Sequence, residues 1–451
     1  MEKKTGLIHK TLSRRDFVKT SSLTAGGLLL SSLPLSASAY AAGSDTLTIA
    51  LIGCGSRGTG AAANALGSSD GVKLVAMADI LEDQLRDSYN GLVQRFGDTD
   101  KMDVPEENKF VGFDGYKKAI ALADVVLLTT PTFFRPLHFE EAVNQGKHVF
   151  MEKPVAVDPA GVRRVLEAGK IAKEKNLNVV VGLQRRYDNR YRELYKRLRD
   201  GEIGEVISGQ VYWNQGPFFI RERRPEWSEL EHQIRNHFHF IWQAGDQVLD
   251  QMIHNIDVAN WYLGEYPATA QGMGGREVRT GKEYGQIFDH NFVEFTYPSG
   301  AVISAQCRQI PGCFNIVTER FNGSKGFLST GGPEGPTIRD RNKNERFRYE
   351  GENDPSPYDH EHVELFTSIR NGEVLDNTDY GAKSTMAAVM GFMATYSGQF
   401  LEWDKALQSD RRMYPHHDLN PEDVDWDTPA PVQPDENGYY PIPVPGVTQV
   451  L

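Results

Sequence analysis

The chain has 451 residues, a formal net charge of −12 and 39% hydrophobic residues. That combination fits two or three folded domains and excludes a disordered chain. The acidic balance argues against nucleic acid as the main partner, because phosphate binding needs a concentrated basic surface.

The first forty or so residues read as a sorting signal rather than as part of the fold. Ser13-Arg14-Arg15-Asp16-Phe17-Val18-Lys19 resembles the twin-arginine (Tat) export signature. A short apolar stretch from Leu23 to Leu35 follows, then the small-residue cleavage site Ala37-Ser38-Ala39. Glycines, serines and Pro34 interrupt that stretch, and it is too short to span a membrane. The expectation is a signal peptide over 1–41 and an exported, periplasmic protein with no integral span in its mature form.

Thr46 to Leu51 reads as a buried strand running into Gly53-Cys54-Gly55-Ser56-Arg57-Gly58, with an Ala-rich helix from Thr59 to Leu66 behind it. A Gly-x-Gly-x-x-Gly run between a strand and a helix is the context in which it binds a dinucleotide. Gly53 permits the turn, Gly55 lets a pyrophosphate approach the backbone, and Gly58 allows close helix–strand packing. A second strand, Val72 to Ala78, ends at Asp79. An acid about 20 residues beyond the glycines can accept the ribose hydroxyls and repel a 2′-phosphate, so NAD is favoured over NADP. Further strands are expected at Asp124–Thr129, ending in Thr130-Pro131, at Lys147–Met151, ending in Glu152-Lys153-Pro154, and at Asn178–Gly182. Helices at Phe139–Gln145 and Pro159–Lys175 lie between them. Repeated βα units imply a doubly wound parallel sheet, a Rossmann domain over 45–184, with ligands at the carboxyl ends of its strands.

From 185 to 402 the pattern changes to an α+β domain with a largely antiparallel open sheet. The basic run from Arg185 to Arg199 reads as a solvated helix face. Strands are expected at Val206–Trp213, Asn291–Tyr297, Ala301–Gln306, Ile316–Phe321 and Gly326–Ser329, and helices at Tyr358–Arg370 and Gly381–Phe400. One continuous helix is expected from Asp246, as N-cap, to Leu263. It puts Asp250 and His254 one turn apart, able to act on one ligand. The Pro- and Asp-rich tail over 403–451 is expected to lie extended on the surface. Cys54 sits in the glycine loop. Cys307 and Cys313 are read equally as one bridge or as two free thiols. A zinc site at His237, His239 and His254 lacks a supporting ligand framework, and packing explains those residues better.

Gly53/Gly55/Gly58, Asp79, Glu152-Lys153-Pro154 and Asp250-x-x-x-His254 together resemble the Gfo/Idh/MocA family of oxidoreductases, as do Gly146 to Pro154 and Gly182 to Tyr187. The resemblance covers Leu47 to Gln399. It implies that residues 53–58, Asp79, Thr130, Pro131, Glu152 and Lys153 hold the cofactor. It further implies that Lys153 meets the reacting hydroxyl, that His254 is the general base, and that Asp250 orients substrate or histidine. Gln184 and Arg185 would line the substrate cleft, and the second domain would support a homo-oligomer. Arg135 stands where the family often has histidine. The Arg- and aromatic-rich segment from Gly216 to His239 is an elaboration, read equally as a wall of the sugar site and as a packing loop.

Three activities follow as expectations. The first is NAD-dependent oxidation of a secondary hydroxyl on a sugar, polyol or glycoside. An exported enzyme of this kind would have to hold its cofactor tightly. The second is glycoside lysis or hydrolysis through transient oxidation of a ring hydroxyl, the scheme that family 109 glycosidases resemble. The third is a cofactor-bound sugar-binding protein without turnover.

Overall fold

The structure, a computed structural model, describes residues 46–411 and 423–451. The expected signal peptide lies outside the described residues.

The first half alternates strand and helix: β1 (Leu47–Ile52), α1 (Ser56–Ser68), β2 (Val72–Asp79), α2 (Glu82–Phe96), β3 (Lys109–Val111), α3 (Gly115–Ala121), β4 (Val125–Leu128), α4 (Arg135–Asn144), β5 (His148–Met151), α5 (Pro159–Glu174) and β6 (Val179–Val181). The six strands form a parallel sheet in the order β3-β2-β1-β4-β5-β6. This is the dinucleotide-binding order, with its switch point between β1 and β4. The strands are apolar on both faces because both are covered. Ala50, Ile52, Val126, Leu128, Val149 and Met151 face a core that continues into the second half of the chain. Ile49, Leu51, Leu127 and Phe150 face the opposite side.

The second half begins with α6 (Asn189–Arg199), β7 (Val206–Gln215), α7 (Glu229–Arg235), α8 (Ile241–Ala244), α9 (Gln247–Asp250) and α10 (Ile253–Leu263). It continues through β8 (Thr269–Gly275), β9 (His290–Thr296), β10 (Val302–Gln309), β11 (Ile316–Gly323), β12 (Gly326–Thr330), β13 (Pro336–Asp340) and β14 (Glu345–Arg348). It ends with α11 (Pro357–Asn371), α12 (Thr378–Ser397), β15 (Leu401–Glu402) and α13 (Trp403–Gln408). The nine strands order as β14-β13-β12-β11-β7-β10-β9-β8-β15 and are antiparallel except for the parallel pair β7–β10. Helices α10 and α12 pack on this sheet. The two halves are tied together by chain-distant contacts: α11 packs on α1 and brings Leu365, Phe366 and Ile369 into the Rossmann core, and α12 packs on α5.

Two expectations change. The helix over Asp246–Leu263 is interrupted, with α9 ending at Asp250 and α10 starting at Ile253. Asp246 does cap it, accepting from the Gln247 N–H. Nor does the tail simply drape over the surface: Val432, Tyr440 and Val450 are buried. Gln233 donates to the Val432 carbonyl (2.6 Å) and Ser409 to the Val450 carbonyl (2.8 Å). Cys54, Cys307 and Cys313 are all free thiols.

Candidate functional site

A cleft of about 550 Å³ opens where β1, β2, β4 and β5 end, and the second half of the chain forms its far wall. Of the residues singled out in the sequence, Gly53, Gly55, Ser56, Arg57, Gly58, Asp79, Thr130, Pro131, Glu152, Lys153, Gln184, Asp250 and His254 line it. Cys54 and Arg185 stand outside that lining.

The glycine turn fits a dinucleotide. Gly53 has φ +94°, and a Cβ there would sit 2.6 Å from the Thr130 nitrogen. A Cβ on Gly58 would lie 1.9 Å from the Gly53 carbonyl oxygen, so only glycine lets α1 start this close to β1. Nothing lies within 4 Å of a Cβ on Gly55, which leaves open space in front of the first turn of α1 for phosphate oxygens. The Asp79 carboxylate accepts the backbone N–H groups of Cys54 (2.5 Å) and Leu81 (2.8 Å), so β2 and the glycine turn are held in register. Burial raises its pKa to about 6, against the pull of those two donors. At neutral pH it remains an ionised acceptor in the position that recognises ribose hydroxyls. The Cys54 side chain is buried and its Sγ lies 3.5 Å from the Ala78 carbonyl oxygen, so this residue serves the turn through its backbone.

Arg57 reaches back from α1 to Glu152, with Nε–Oε1 2.6 Å, and its guanidinium lies over the Tyr358 ring at 5.0 Å. Gln184 donates to the Tyr358 hydroxyl at 3.0 Å. Tyr358 sits at the start of α11, remote in sequence, and no local pattern marked it. Among the described residues, Arg57 Nη2, Arg135 Nε, Gln184 Oε1 and His254 Nδ1 are buried without a partner around the cleft. Buried polar atoms are rarely left unpaired, and their clustering here marks a place shaped for a polar ligand.

Lys153, at the end of β5, donates from Nζ to the Asp250 backbone carbonyl at 2.6 Å, with the Asp250 carboxylate at 3.9 Å. This contact accompanies the helix break. In a continuous helix the Asp250 carbonyl would accept the His254 N–H. Here it is turned to Lys153, and His254 N–H bonds instead to the Gln251 carbonyl at 3.3 Å. The Asp250 carboxylate accepts from the Gln251 side chain, not from His254. Of its two expected roles, orienting substrate is the one this geometry allows.

His254 lies in the cleft wall with its ring stacked on Trp213 (5.6 Å, 24°). Burial first, then the cations of Lys153, Arg185 and Arg57, push its pKa well below that of free imidazole. The folded protein keeps the ring neutral. An imidazolium would also carry a buried Nδ1–H with nothing to accept it.

Arg185 lies behind this stack. It packs over Trp213 (5.6 Å) and pairs with Glu319, which is fully buried and also accepts from Asn255, Tyr191 and Thr330. It fixes the wall that carries Trp213 and His254 rather than lining the cleft. The histidines weighed as zinc ligands diverge as well. His239 bonds the Phe219 carbonyl oxygen and Arg279, while His237 packs on Phe238. Among the described residues no group of three or more His, Cys, Asp or Glu is placed to hold a metal ion.

The segment from Gly216 to His239 forms one wall of the cleft through Phe218, Phe219, Arg221, Arg235, His237 and Phe238. Arg235 crosses to Asp83 at the start of α2, with Nη1–Oδ2 2.8 Å and Nη2–Oδ1 3.2 Å. Phe113, on the same side of the cleft as Asp79, meets Trp426 of the C-terminal tail at 5.2 Å. Both contacts lie over the end of the cleft nearest Asp79. At the other expected departure, the Arg135 guanidinium is buried and spent on the Pro154 and Thr130 carbonyls, and burial lowers its pKa to about 10.

Residues 47–183 match the oxidoreductase family with an NAD-binding Rossmann fold, and residues 191–329 match the GFO/IDH/MocA C-terminal domain. The chain belongs to the Gfo/Idh/MocA family. Among relatives of this family, inositol 2-dehydrogenase of Burkholderia vietnamiensis is 32% identical over 238 residues, 52% of this chain and 59% of that protein. The chain therefore spans less than two thirds of that relative's length. The 2,7-anhydro-N-acetylneuraminate hydratase of Escherichia coli is 25% identical over 46% of this chain and 51% of its own length. Scyllo-inositol dehydrogenase from Lactobacillus casei, solved with NAD(H) and scyllo-inositol, shares the Gfo/Idh/MocA fold at TM-score 0.61 and 20% identity, covering 80% of this chain and 99% of its own.

Proposed function

We propose that this protein is an NAD-dependent oxidoreductase that acts on a secondary hydroxyl of a sugar, polyol or glycoside and holds its cofactor tightly. The observation that carries the reading is the meeting of Lys153 and His254, from opposite halves of the chain, in the cleft that the glycine turn and Asp79 open onto. The inositol dehydrogenases among its relatives agree with it.

Residues 53–58 offer backbone N–H groups to a pyrophosphate and Asp79 accepts ribose hydroxyls. When bound, the nicotinamide supplies an acceptor for the hydrogen and electron pair that leave the carbinol carbon. Lys153 donates a hydrogen bond to the reacting oxygen and stabilises the negative charge that grows there. Asp250, 3.9 Å from the Lys153 ammonium, accepts a neighbouring substrate hydroxyl and so sets the sugar's orientation. His254 takes the hydroxyl proton. The nearby Lys153 charge and the unpartnered Nδ1 make the resulting imidazolium costly, which favours passing the proton onward rather than storing it.

The Arg235–Asp83 and Phe113–Trp426 contacts support tight cofactor retention. Retention also suits the second reading, elimination or hydrolysis of a glycoside through transient ring oxidation, in which the cofactor returns to its starting state. The hydratase among the relatives favours keeping that reading. One assay separates the two. The purified protein is mixed with a panel of sugars, polyols and aryl glycosides without added cofactor, and both cofactor absorbance and aglycone release are followed. Lasting reduction without release supports oxidation, release without net reduction supports the second reading, and neither signal with any compound overturns both.

We also propose that the chain is exported through the Tat route, on the strength of Ser13 to Lys19, and works as a homo-oligomer. A row of Tyr212, Gln306, Phe292 and Met273 crosses adjacent strands, with Met273 70% exposed, and offers a face for a second copy. Replacing Arg14 and Arg15 by lysine should leave the protein in the cytoplasmic fraction, and light scattering reads the assembly. Among the described residues no helix is long and apolar enough to cross a membrane.

A further inference from the structure

The second half of the chain gives the cleft a wall of aromatic side chains that the proposed chemistry does not use. Trp213 fixes where that wall begins. On the face of β7 that packs against α10, Gly209 and Val211 are buried, and so is Cys307, opposite Trp213 on β10. Trp213 shares that face yet is only partly covered, and it lines the cleft with its ring stacked on His254 (5.6 Å, 24°). The wall therefore starts at the base itself.

Phe218, Phe219, His237 and Phe238 continue it. The Phe218 and Phe238 rings stack at 4.5 Å and 11°, His237 lies 4.1 Å from Phe238, and Phe219 meets Phe238 edge-on at 6.2 Å. A chain of hydrogen bonds places this cluster over the sheet end that carries Trp213. His239 Nε2 donates to the Phe219 carbonyl at 3.0 Å, and Arg279 donates to His239 Nδ1 at 3.1 Å and to Gln309. Gln309 in turn pairs in register with Gln215, two residues beyond Trp213. A second tie holds the same loop: the buried Asn236 side chain accepts the Arg221 N–H at 2.8 Å and donates to its carbonyl at 3.2 Å. The cluster is thus a rigid surface that leaves Phe219 55% exposed. Aromatic area kept open forgoes the stabilisation of burial, and a preorganised apolar surface continuous with a ligand cleft is suited to a flat apolar ligand face.

We infer that Trp213, Phe218 and Phe238 form a subsite for the aglycone ring of a glycoside, making the substrate class glycosides that carry a second sugar or an aryl ring rather than free sugars or polyols. The electron-rich ring faces attract the C–H groups that one face of a pyranose presents, and they stack equally with an aryl group. Lys153, Asp250 and His254 address hydroxyls of the first ring, and the glycosidic bond leads the second ring onto the wall. The inference rests on the oxidoreductase reading for where the reacting ring lies, but its test reads binding and does not depend on turnover.

The experiment uses the cofactor-loaded protein and, in the gluco, galacto and manno series, the methyl glycoside, the phenyl glycoside and a disaccharide of each anomer. Binding is measured by calorimetry for the wild type, Phe218→Ala and Phe238→Ala, with bound nucleotide and melting temperature recorded for each. The expected result is that in at least one series the phenyl glycoside or the disaccharide binds roughly tenfold more tightly than the methyl glycoside, the scale of an aromatic stacking contact. Whichever of the two gains more identifies the aglycone. Both variants should bring that ratio close to one while keeping their nucleotide, and if Phe238→Ala fails to fold, Phe218→Ala decides. The inference is overturned if no larger aglycone outbinds methyl in any series, or if the preference survives in the folded variants. If larger glycosides bind through these rings yet never reduce the bound cofactor, even transiently, this inference stands and the redox reading falls. If free sugars and methyl glycosides reduce the cofactor and no aglycone preference exists, the redox reading stands and this inference falls.

Discussion

Replacing Lys153 by methionine removes one charge while nearly keeping the length of the side chain. In the folded protein it deletes a single 2.6 Å hydrogen bond to the Asp250 carbonyl and a longer ion contact to its carboxylate. The first, from a charged donor, is worth about 1.5–3 kcal/mol of stability, so the variant should still fold and melt a few degrees lower. Chemistry should suffer far more. A preorganised donor aimed at developing negative charge is worth about 3–4 kcal/mol, so turnover should fall roughly a hundredfold to a thousandfold. A second signature comes with it. Lys153 is the largest charge contribution to the depressed His254 pKa, so that pKa should rise in the variant while staying below the ordinary value, because burial remains. Stopped-flow absorbance of the bound cofactor reads the first effect and imidazole NMR of the purified variant reads the second. Turnover within about twofold of wild type, a barrier change of under 1 kcal/mol, would refute the assignment of Lys153 to the reacting oxygen.

Stability should fall steeply on acidification. Burial lowers His138 and His362 to about 3, and His148, His237 and His239 to about 4. Between pH 6.5 and 4 the unfolded chain binds protons at these rings and the folded chain does not, at about 1.4 kcal/mol per pH unit for each ring. Asp79 and Asp246, both raised to about 6, act in the opposite sense, because the folded state binds their protons first. The histidines outnumber them, so denaturant midpoints should drop as pH falls from 6.5 to 4.5, and a flat profile there would contradict the buried placements. Replacing Arg235 by methionine breaks its two bonds to Asp83. Asp83 is 43% exposed, so the pair is worth at most about 1 kcal/mol after solvent screening. Cofactor release, followed by gel filtration at low salt, should quicken roughly fivefold, and an unchanged rate would mean that this contact does not retain cofactor.

The Rossmann half was legible because its strands are short, fully buried apolar runs, and each ends in a residue whose chemistry differs sharply from the run before it. Gly53, Asp79, Thr130 and Lys153 could be placed at one sheet edge from that punctuation alone. The second half was harder to read. Thr269–Gly275 carries three glycines and reads as loop, yet it pairs along its length with β9. The break between Asp250 and Ile253 goes with a contact to Lys153, nearly a hundred residues earlier, which helical periodicity does not register. The family resemblance puts Arg185 in the cleft beside Gln184, but a fully buried glutamate on β11 draws it behind Trp213. Tyr358 reaches the cleft from far along the chain, Trp426 packs on the cleft-lining Phe113, and only the tertiary fold reveals them.

The most direct test of the central claim is to denature the purified protein and identify the nucleotide released, before and after incubation with a substrate found in the panel. The account predicts NAD in close to one copy per chain, converted in part to its reduced form by substrate in the wild type and not in the Lys153→Met variant. Release of NADP, or of no nucleotide from protein that also fails to take up NAD, would contradict it.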